Sequence, residues 1–319
     1  MKLCVFGAGA VGGHIAAKLA AAGNDVSVIA RGAHLEAMRS RGIRLLHGEQ
    51  TIVGRVRAAE RSEQLGRQDA VFVTLKANLL PAFAGQCAPL LGGETAVVFV
   101  QNGIPWWYDQ RLTRLDPGGA LASAVAHERI IGGVAYSANE IIEPGVIENH
   151  VPGNNMIVIG RPDRVDSALL QRLRKALEDA DLSSPPLADI RQSIWSKLAQ
   201  NLWTSTLCTL TGTTVREVQK HAALVAMAQQ AQQEASAIAR ALGVVIEQAP
   251  KRPSGQSSSG AAHKPSMLQD YERGRPMEIE AQLVAPLELG RMEKIHTPTL
   301  DILVPLVAAK AAAKHLYTH

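Results

Sequence analysis

The N-terminus constrains this chain more than any other stretch. Lys2–Phe6 (KLCVF) is a short apolar run of the kind that forms a strand buried on both faces. Gly7-Ala8-Gly9-Ala10-Val11-Gly12 follows directly. Small and apolar residues from Ala10 to Ala22 suit a helix lying close on a sheet, and Gly23 ends it. Asp25–Ala30 (DVSVIA) reads as a second strand that stops at Arg31. In this order the pieces form a cradle for a dinucleotide pyrophosphate. Gly7 permits the tight turn, Gly9 lets the backbone approach the phosphates, and Gly12 lets the helix pack on the strand. The helix N-terminus presents N–H groups and a partial positive charge. The glycine pattern alone is weak, and the strand before it and helix after it give it weight. The competing reading is a glycine-rich turn without a ligand.

Arg31 bears on the type of dinucleotide. An NAD site usually places Asp or Glu at the end of the second strand, to accept from the ribose 2′-hydroxyl. An arginine there can clamp a 2′-phosphate instead, so NADPH/NADP+ is expected rather than NADH. A solvated surface arginine is the bland alternative.

Ala70–Leu75 and Thr95–Val100 continue the series of buried strands, each followed by a polar cluster, Lys76-Ala77-Asn78 and Gln101-Asn102-Gly103. Strands alternating with helices imply a doubly wound parallel sheet. Residues 130–160, punctuated by Pro144-Gly145 and Pro152-Gly153, read as antiparallel strands that complete the sheet. Asp166–Asp179 looks helical and Ser183–Pro186 looks like a linker. Helical patterns then dominate: Ile190–Leu210, Ala222–Leu242, Met267–Arg273, Met277–Arg291 and Thr299–Leu316, with a Pro/Gly/Ser-rich loop at 250–265. The expected fold is α/β, an N-terminal Rossmann-type doubly wound sheet over 1–182 followed by an all-α C-terminal domain over 183–319. A length of 319 residues fits two such domains.

Composition excludes other classes. With 46% hydrophobic and 19% charged residues, whole-chain disorder is ruled out. The net charge of +4 suits an anionic small ligand, while the absence of a Lys/Arg block and only 4% aromatics argue against nucleic acid. Cys4, Cys87 and Cys208 are far apart and form no CxxC pair, so neither a disulfide framework nor a cysteine zinc site is expected. His14, His127, His150 and His296 show no metal spacing and are expected to be structural or superficial. The first residues run into the glycine turn without a cleavage pattern, and no apolar stretch is long enough for a membrane span. A cytoplasmic protein is expected.

Lys197, Asn201 and Ser205 recur at a spacing of four, which puts them on one face of a helix otherwise rich in Leu and Trp. Either this is a solvated stripe, or the lysine and asparagine serve a site, because an unpaired buried ammonium is costly.

Several pieces together resemble the ketopantoate reductase family. They are GAGAVGG at 7–13 with Arg31, VTLKA at 73–77, QNG at 101–103, WSKLAQN at 195–201, and SMLQD at 266–270 followed by MEIE at 277–280. The resemblance spans nearly the whole chain. It implies an N-terminal Rossmann domain, a helical second domain, and an active site in a cleft where a 2-keto acid is reduced to a 2-hydroxy acid with NADPH. It places Lys197 on the catalytic lysine and Asn102 near nicotinamide and substrate. Lys76 and Ala138 fall on cofactor contacts beside Gly7, Ala8, Gly9, Ala10, Val11, Gly12 and Arg31. Asn201 and Ser266 fall on substrate positions, and Glu278 on an acidic residue near both cofactor and reacting centre. The chemistry suits these types: hydride delivery builds negative charge on a ketone oxygen, which a lysine ammonium stabilises and protonates. The chain departs from the pattern at Ser205, where an Asn that touches substrate is common, at Leu79 in place of a Gln, and at Pro265 in place of a Ser. These departures bear on which keto acid is taken. The alternatives are a reductase of another 2-keto acid, a non-catalytic NADPH-binding sensor, and an adenosyl-cofactor methyltransferase, which Arg31 disfavours. The helical domain offers a surface for a homodimer.

Overall fold

The computed structural model describes residues 1–246 and 264–318, which fall into two compact units. The expected loop at 250–265 therefore lies outside the described residues except for Lys264 and Pro265. One unit comprises Met1–Gln101 and Asp116–Ile190, and the other Asn102–Leu115 and the described residues from Arg191 on. The division falls at Ile190/Arg191 where 182/183 was expected. The presumed linker is part of the first unit: the Ile157 N–H donates to Ser183 O at 2.8 Å, and the Ser184 hydroxyl donates to Ile157 O at 2.7 Å.

In the first unit the elements are β1 (Lys2–Phe6), α1 (Ala10–Ala21), β2 (Asp25–Ile29), α2 (Gly32–Arg41), β3 (Ile43–His47), β4 (Gln50–Gly54), β5 (Arg57–Ala59), β6 (Ala70–Val73), α3 (Leu80–Ala84), β7 (Ala96–Val100), α4 (Ala120–Ala124), β8 (Ile130–Tyr136), β9 (Asn139–Glu143), β10 (Val146–Asn149), β11 (Met156–Gly160) and α5 (Ala168–Asp179). The main sheet runs β11-β8-β7-β6-β1-β2-β5, parallel except for β11, which is antiparallel to β8. The order in which strands are added reverses at β1, with β2 and β5 on one side and β6, β7 and β8 on the other, all parallel to it; in open sheets ligands bind at such a switch point, outside the carboxyl ends of the strands.

The expectation that residues 130–160 all complete this sheet is corrected. β11 does, but β9 and β10 join β3 and β4 in a separate four-stranded sheet, ordered β4-β3-β10-β9. Helix α1 lies between the two sheets, and adjacent glycines make both approaches possible. A Cβ on Gly12 would strike the Gly7 carbonyl and the Thr74 hydroxyl and come within 3.1 Å of Val5 Cγ1. One on Gly13 would strike Ile147 of the second sheet. Residues 12–19 are consequently all buried.

That burial includes His14 and Lys18, which face the second sheet. Asn139 reaches His14 Nδ1 at 3.2 Å, and Lys18 Nζ lies 3.4 Å from His47 and donates to Asp181 at 2.5 Å. Burial, reinforced by the Lys18 charge, pushes His14 down to about 3. An unfolded imidazole takes its proton near about 6.5, so over the interval between these values the native state binds fewer protons than the unfolded one. Stability therefore falls as pH falls through that interval, by about 1.4 kcal/mol per pH unit from His14 alone. Urea midpoints measured from about pH 7 to about pH 4 should show this slope, and His14→Gln should flatten it; an unaltered slope in the variant would contradict the assignment.

The second unit is helical. Past Ile190, α6 (Ile190–Thr211) is followed by α7 (Val215–Val218), α8 (Ala222–Ala241), α9 (Ser266–Glu272), a π-helical segment (Glu280–Val284), α10 (Ala285–Met292) and α11 (Leu300–Ala312). The buried Glu234 of α8 caps α11, accepting from Thr299 N–H at 3.0 Å and Leu300 N–H at 2.9 Å. This carboxylate satisfies amides that a helix start leaves open. No described helix is long and apolar enough to cross a membrane.

Candidate active site

Because β1, β2, β6, β7 and β8 are parallel, the residues that follow them lie on one edge of the sheet. Gly7 through Gly12 follow β1, Arg31 follows β2, Lys76 follows β6, Gln101 ends β7's run, and Ala138 follows β8. The sequence-predicted cofactor residues of the first unit therefore share an edge.

The glycine turn has the shape a pyrophosphate needs. Gly7 has φ +99°, and its N–H and that of Ala8 both donate to Ile29 O at 3.1 Å, which ties the turn to β2. The Thr74 hydroxyl donates to Gly7 O at 2.7 Å from the other side of the switch point. Gly9 begins α1, and the Gly13 N–H makes the first helical bond to its carbonyl. Around Gly9 there is room: a Cβ there would have only Gly7 O within 4.0 Å. No acidic side chain occupies the first turn, and no described side chain caps it. The turn thus offers amides and space to an anion. Arg31 is exposed at the start of α2. Lys76 and Ala138 are half-buried, and the Ala138 carbonyl already accepts the His150 N–H at 2.9 Å.

Two residues on this edge were not picked out from sequence. His34 bridges the turn: one ring nitrogen lies 2.7 Å from Ala8 O, and the other accepts the Gly145 N–H at 2.9 Å. That pairing requires the neutral ring with its proton on Nε2, and burial lowers its pKa accordingly. Gln101 holds its N–H on Gly133 O at 3.3 Å, while both atoms of its side-chain amide are buried without a hydrogen-bond partner among the described residues. The QNG motif drew attention to Asn102 and passed over its neighbour.

In the second unit, α6 carries Lys197 and Asn201, both half-buried, and Ser205, which is 2% exposed. The stripe is therefore not a solvated face. Trp195 is fully buried and its indole N–H donates to Tyr108 OH at 2.7 Å. Farther along α6, Thr204, Thr206 and Thr211 return their hydroxyls to helix carbonyls one turn back, which lets a threonine-rich helix be buried.

Asn102 opens the excursion 102–115, which the sequence reading assigned to the first domain. The Ile104 N–H donates to Ala281 O at 2.8 Å, bringing this loop onto the helix that begins just after Glu278. Glu278 is half-buried, and Gln282 Nε2 lies 3.4 Å from its carboxylate. Gln282 itself is buried and its Oε1 has no described partner. The second unit thus joins Asn102 and Glu278 through one turn of helix. Ser266 is the exposed first residue of α9, preceded by Pro265, whose ring has no polar atom to cap the helix.

The three cysteines are buried, free thiols, with burial pushing Cys4 up to about 12 and Cys208 up to about 11. Thiols so raised are poor nucleophiles.

Comparison with known proteins bears on the whole chain. Residues 3–164 match the family model described as ketopantoate reductase PanE/ApbA, and residues 189–311 match the model for its C terminal part. The chain is 42% identical to a 2-dehydropantoate 2-reductase of Mesorhizobium japonicum over 100% of both chains. It is similar to the crystal structure of 2-dehydropantoate 2-reductase from Geobacter metallireducens, with a TM-score of 0.82 and 26% identity over 96% of this chain and 99% of that one. A D-mandelate dehydrogenase solved with NADH and anilino(oxo)acetate shares the fold, with a TM-score of 0.84 and 21% identity over 99% and 100% of the two chains.

Proposed function

The chain belongs to the ketopantoate reductase family of oxidoreductases, and from that premise we propose that it reduces ketopantoate (2-dehydropantoate) to pantoate with NADPH. The observation that carries the reading is the face of α6, where an ammonium and an amide stand one turn apart, shielded from full solvation, beside the buried Trp195, Leu198 and Leu202.

Each residue has a role that its chemistry suits. Within the Gly7–Gly12 turn, whose Gly7, Ala8 and Gly9 amides are bonded inside the fold, the amides of Ala10, Val11 and Gly12 at the start of α1 would hold the pyrophosphate, with Arg31 on the 2′-phosphate and Lys76 and Ala138 farther along the same edge. When bound, the cofactor supplies the hydride. Negative charge then grows on the substrate's keto oxygen, and Lys197 stabilises it and delivers the proton. Asn102 orients the keto acid. Asn201, Ser205 and the hydroxyl and backbone of Ser266 hold its carboxylate, and Glu278 orients Lys197 or accepts from the new hydroxyl.

Arg31→Ala tests the cofactor assignment. A charge-assisted bond to a phosphate contributes about 1.5–3 kcal/mol, so NADPH should bind roughly ten- to a hundred-fold more weakly while NADH affinity stays within about two-fold. Equal weakening of both would remove Arg31 from 2′-phosphate recognition.

The substrate is tested by kcat/KM for ketopantoate beside a panel of other 2-keto acids. Ketopantoate should be the preferred substrate. A different keto acid in first place would keep the chemistry and move the specificity, and it would point to Ser205, Leu79 and Pro265, where this chain departs from the family pattern. Ser205 is the first of these to revert, because its buried hydroxyl is shorter than the asparagine amide it stands for.

A further inference from the structure

The helix that starts just after Glu278 makes one α-type bond, from Gln282 N–H to Glu278 O at 3.1 Å, and then widens. Over Glu280–Val284 it is π-helical, and the Ala285 N–H donates to Glu280 O, five residues back. In that register the Ala281 carbonyl faces the nitrogen of residue 286. That residue is Pro286, which has no hydrogen to give. Such a carbonyl, buried in a helix, needs another donor. It finds one in the Ile104 N–H at 2.8 Å. The approach is so close that Gly103 adopts φ +83°, and a Cβ there would overlap the Ala281 carbonyl and lie 2.8 Å from Gln282 N. The same turn is tied on its flank. Tyr317 OH donates to Glu280 at 2.6 Å, and the Arg114 guanidinium, from the end of the excursion, lies 3.4 Å from the same carboxylate.

We infer that Pro286 is a positioning residue: by withholding an N–H it reserves the Ala281 carbonyl for the loop that begins at Asn102, and so fixes the spacing between Asn102 and Glu278. The inference rests on the roles given above to those two residues. The local sequence fits it. Gly103 supplies the close approach, Ile104 the donor, and Pro286 removes the competitor. An alanine at 286 would return an N–H that can claim Ala281 O from within the helix, and the loop would lose its anchor. Insertions of this π type occur often at functional sites.

Pro286→Ala in the full chain tests this with two readouts. Alanine is a good helix former, so the fold should persist, and the circular dichroism spectrum and melting temperature verify that it does. Hydrogen exchange at the Ile104 amide should accelerate about ten-fold or more, while exchange in the middle of α6 stays as in the unaltered chain. In steady state, kcat should fall roughly ten- to a hundred-fold, because small misplacements of reacting groups have effects of that size, while the dissociation constant for NADPH, held by the first unit, is unchanged. A variant with unaltered Ile104 exchange would overturn the inference, since Ala281 O would then not be contested. Faster exchange with normal kcat and KM would also overturn it, by showing an anchor that positions nothing. Failure of the unaltered enzyme to reduce any 2-keto acid is a different result. It would remove the proposed function, and with it the positioning role, even where exchange responds.

Discussion

Lys197→Ala should lower kcat by about two to four orders of magnitude, the range a positioned general acid contributes, while NADPH binds as before. The argument starts from α6. Trp195, Leu198 and Leu202 are buried and fix the helix, so Lys197 and Asn201 occupy a defined, half-buried face. Truncation at Lys197 removes the group that would neutralise the oxygen as it becomes an alkoxide, and it leaves the glycine turn of the first unit untouched. Cofactor titration and single-turnover kinetics separate the two effects. A near-normal single-turnover rate would take the proton-delivery role away from Lys197. Lys197→Arg should restore little, because a planar guanidinium holds charge but is a poor proton donor.

A matched pair in the glycine turn is the second large effect. Gly12→Ala should lower stability by about 1–3 kcal/mol, as overpacking does, and abolish measurable NADPH binding. Its new methyl would meet the Gly7 carbonyl and the Thr74 hydroxyl, the two partners of the bond that shapes the turn, with Val5 Cγ1 3.1 Å away. Gly9→Ala should separate the two consequences. Gly9 has φ −73°, accessible to alanine, and open space where the methyl would go. Its melting temperature should stay near that of the unaltered chain, while NADPH affinity falls steeply because the methyl occupies the place of a phosphate oxygen. Thermal melts with and without NADPH give both numbers. Unimpaired binding by Gly9→Ala would mean that the backbone does not come close to the phosphates.

Much of the first unit was legible because buried parallel strands are written as uninterrupted apolar runs. Lys2–Phe6 was read with its boundaries, and Asp25–Ala30, Ala70–Leu75 and Thr95–Val100 each run only one or two residues beyond the strands observed. The second sheet was not legible. Its central pair joins Ile43–His47 to Val146–Asn149, a hundred residues apart, and β3 and β4 are of mixed burial with no clean alternation. The excursion of 102–115 was invisible for a similar reason. Its partners, Ala281 for Ile104 and Trp195 for Tyr108, are remote in sequence.

Candidate site residues were legible by type where a motif carries them, as with the Gly7–Gly12 turn or the face of Lys197 and Asn201. His34 illustrates what was not. A single histidine in the first turn of a helix is unremarkable in sequence, and its function as a bridge between Ala8 and Gly145 depends on a contact across 111 residues. The π turn is hidden for a different reason. Met277–Arg291 has an ordinary helical pattern, and only the bond from the Ile104 N–H to the Ala281 carbonyl, which Pro286 cannot serve, shows what the wider turn does.

In the reaction proposed for this chain, hydride passes from a nicotinamide to carbon 2 of a 2-keto acid. The most direct test is to run the reaction with NADPH deuterated at the transferring C4 position and examine the product by mass spectrometry and NMR. One deuterium should appear on carbon 2 of pantoate for each NADPH oxidised, and about a hundredth as much labelled product or less should form when Lys197→Ala replaces the enzyme over the same interval. NADPH consumed without deuterium on carbon 2, or ketopantoate left unchanged with NADPH bound, would contradict it.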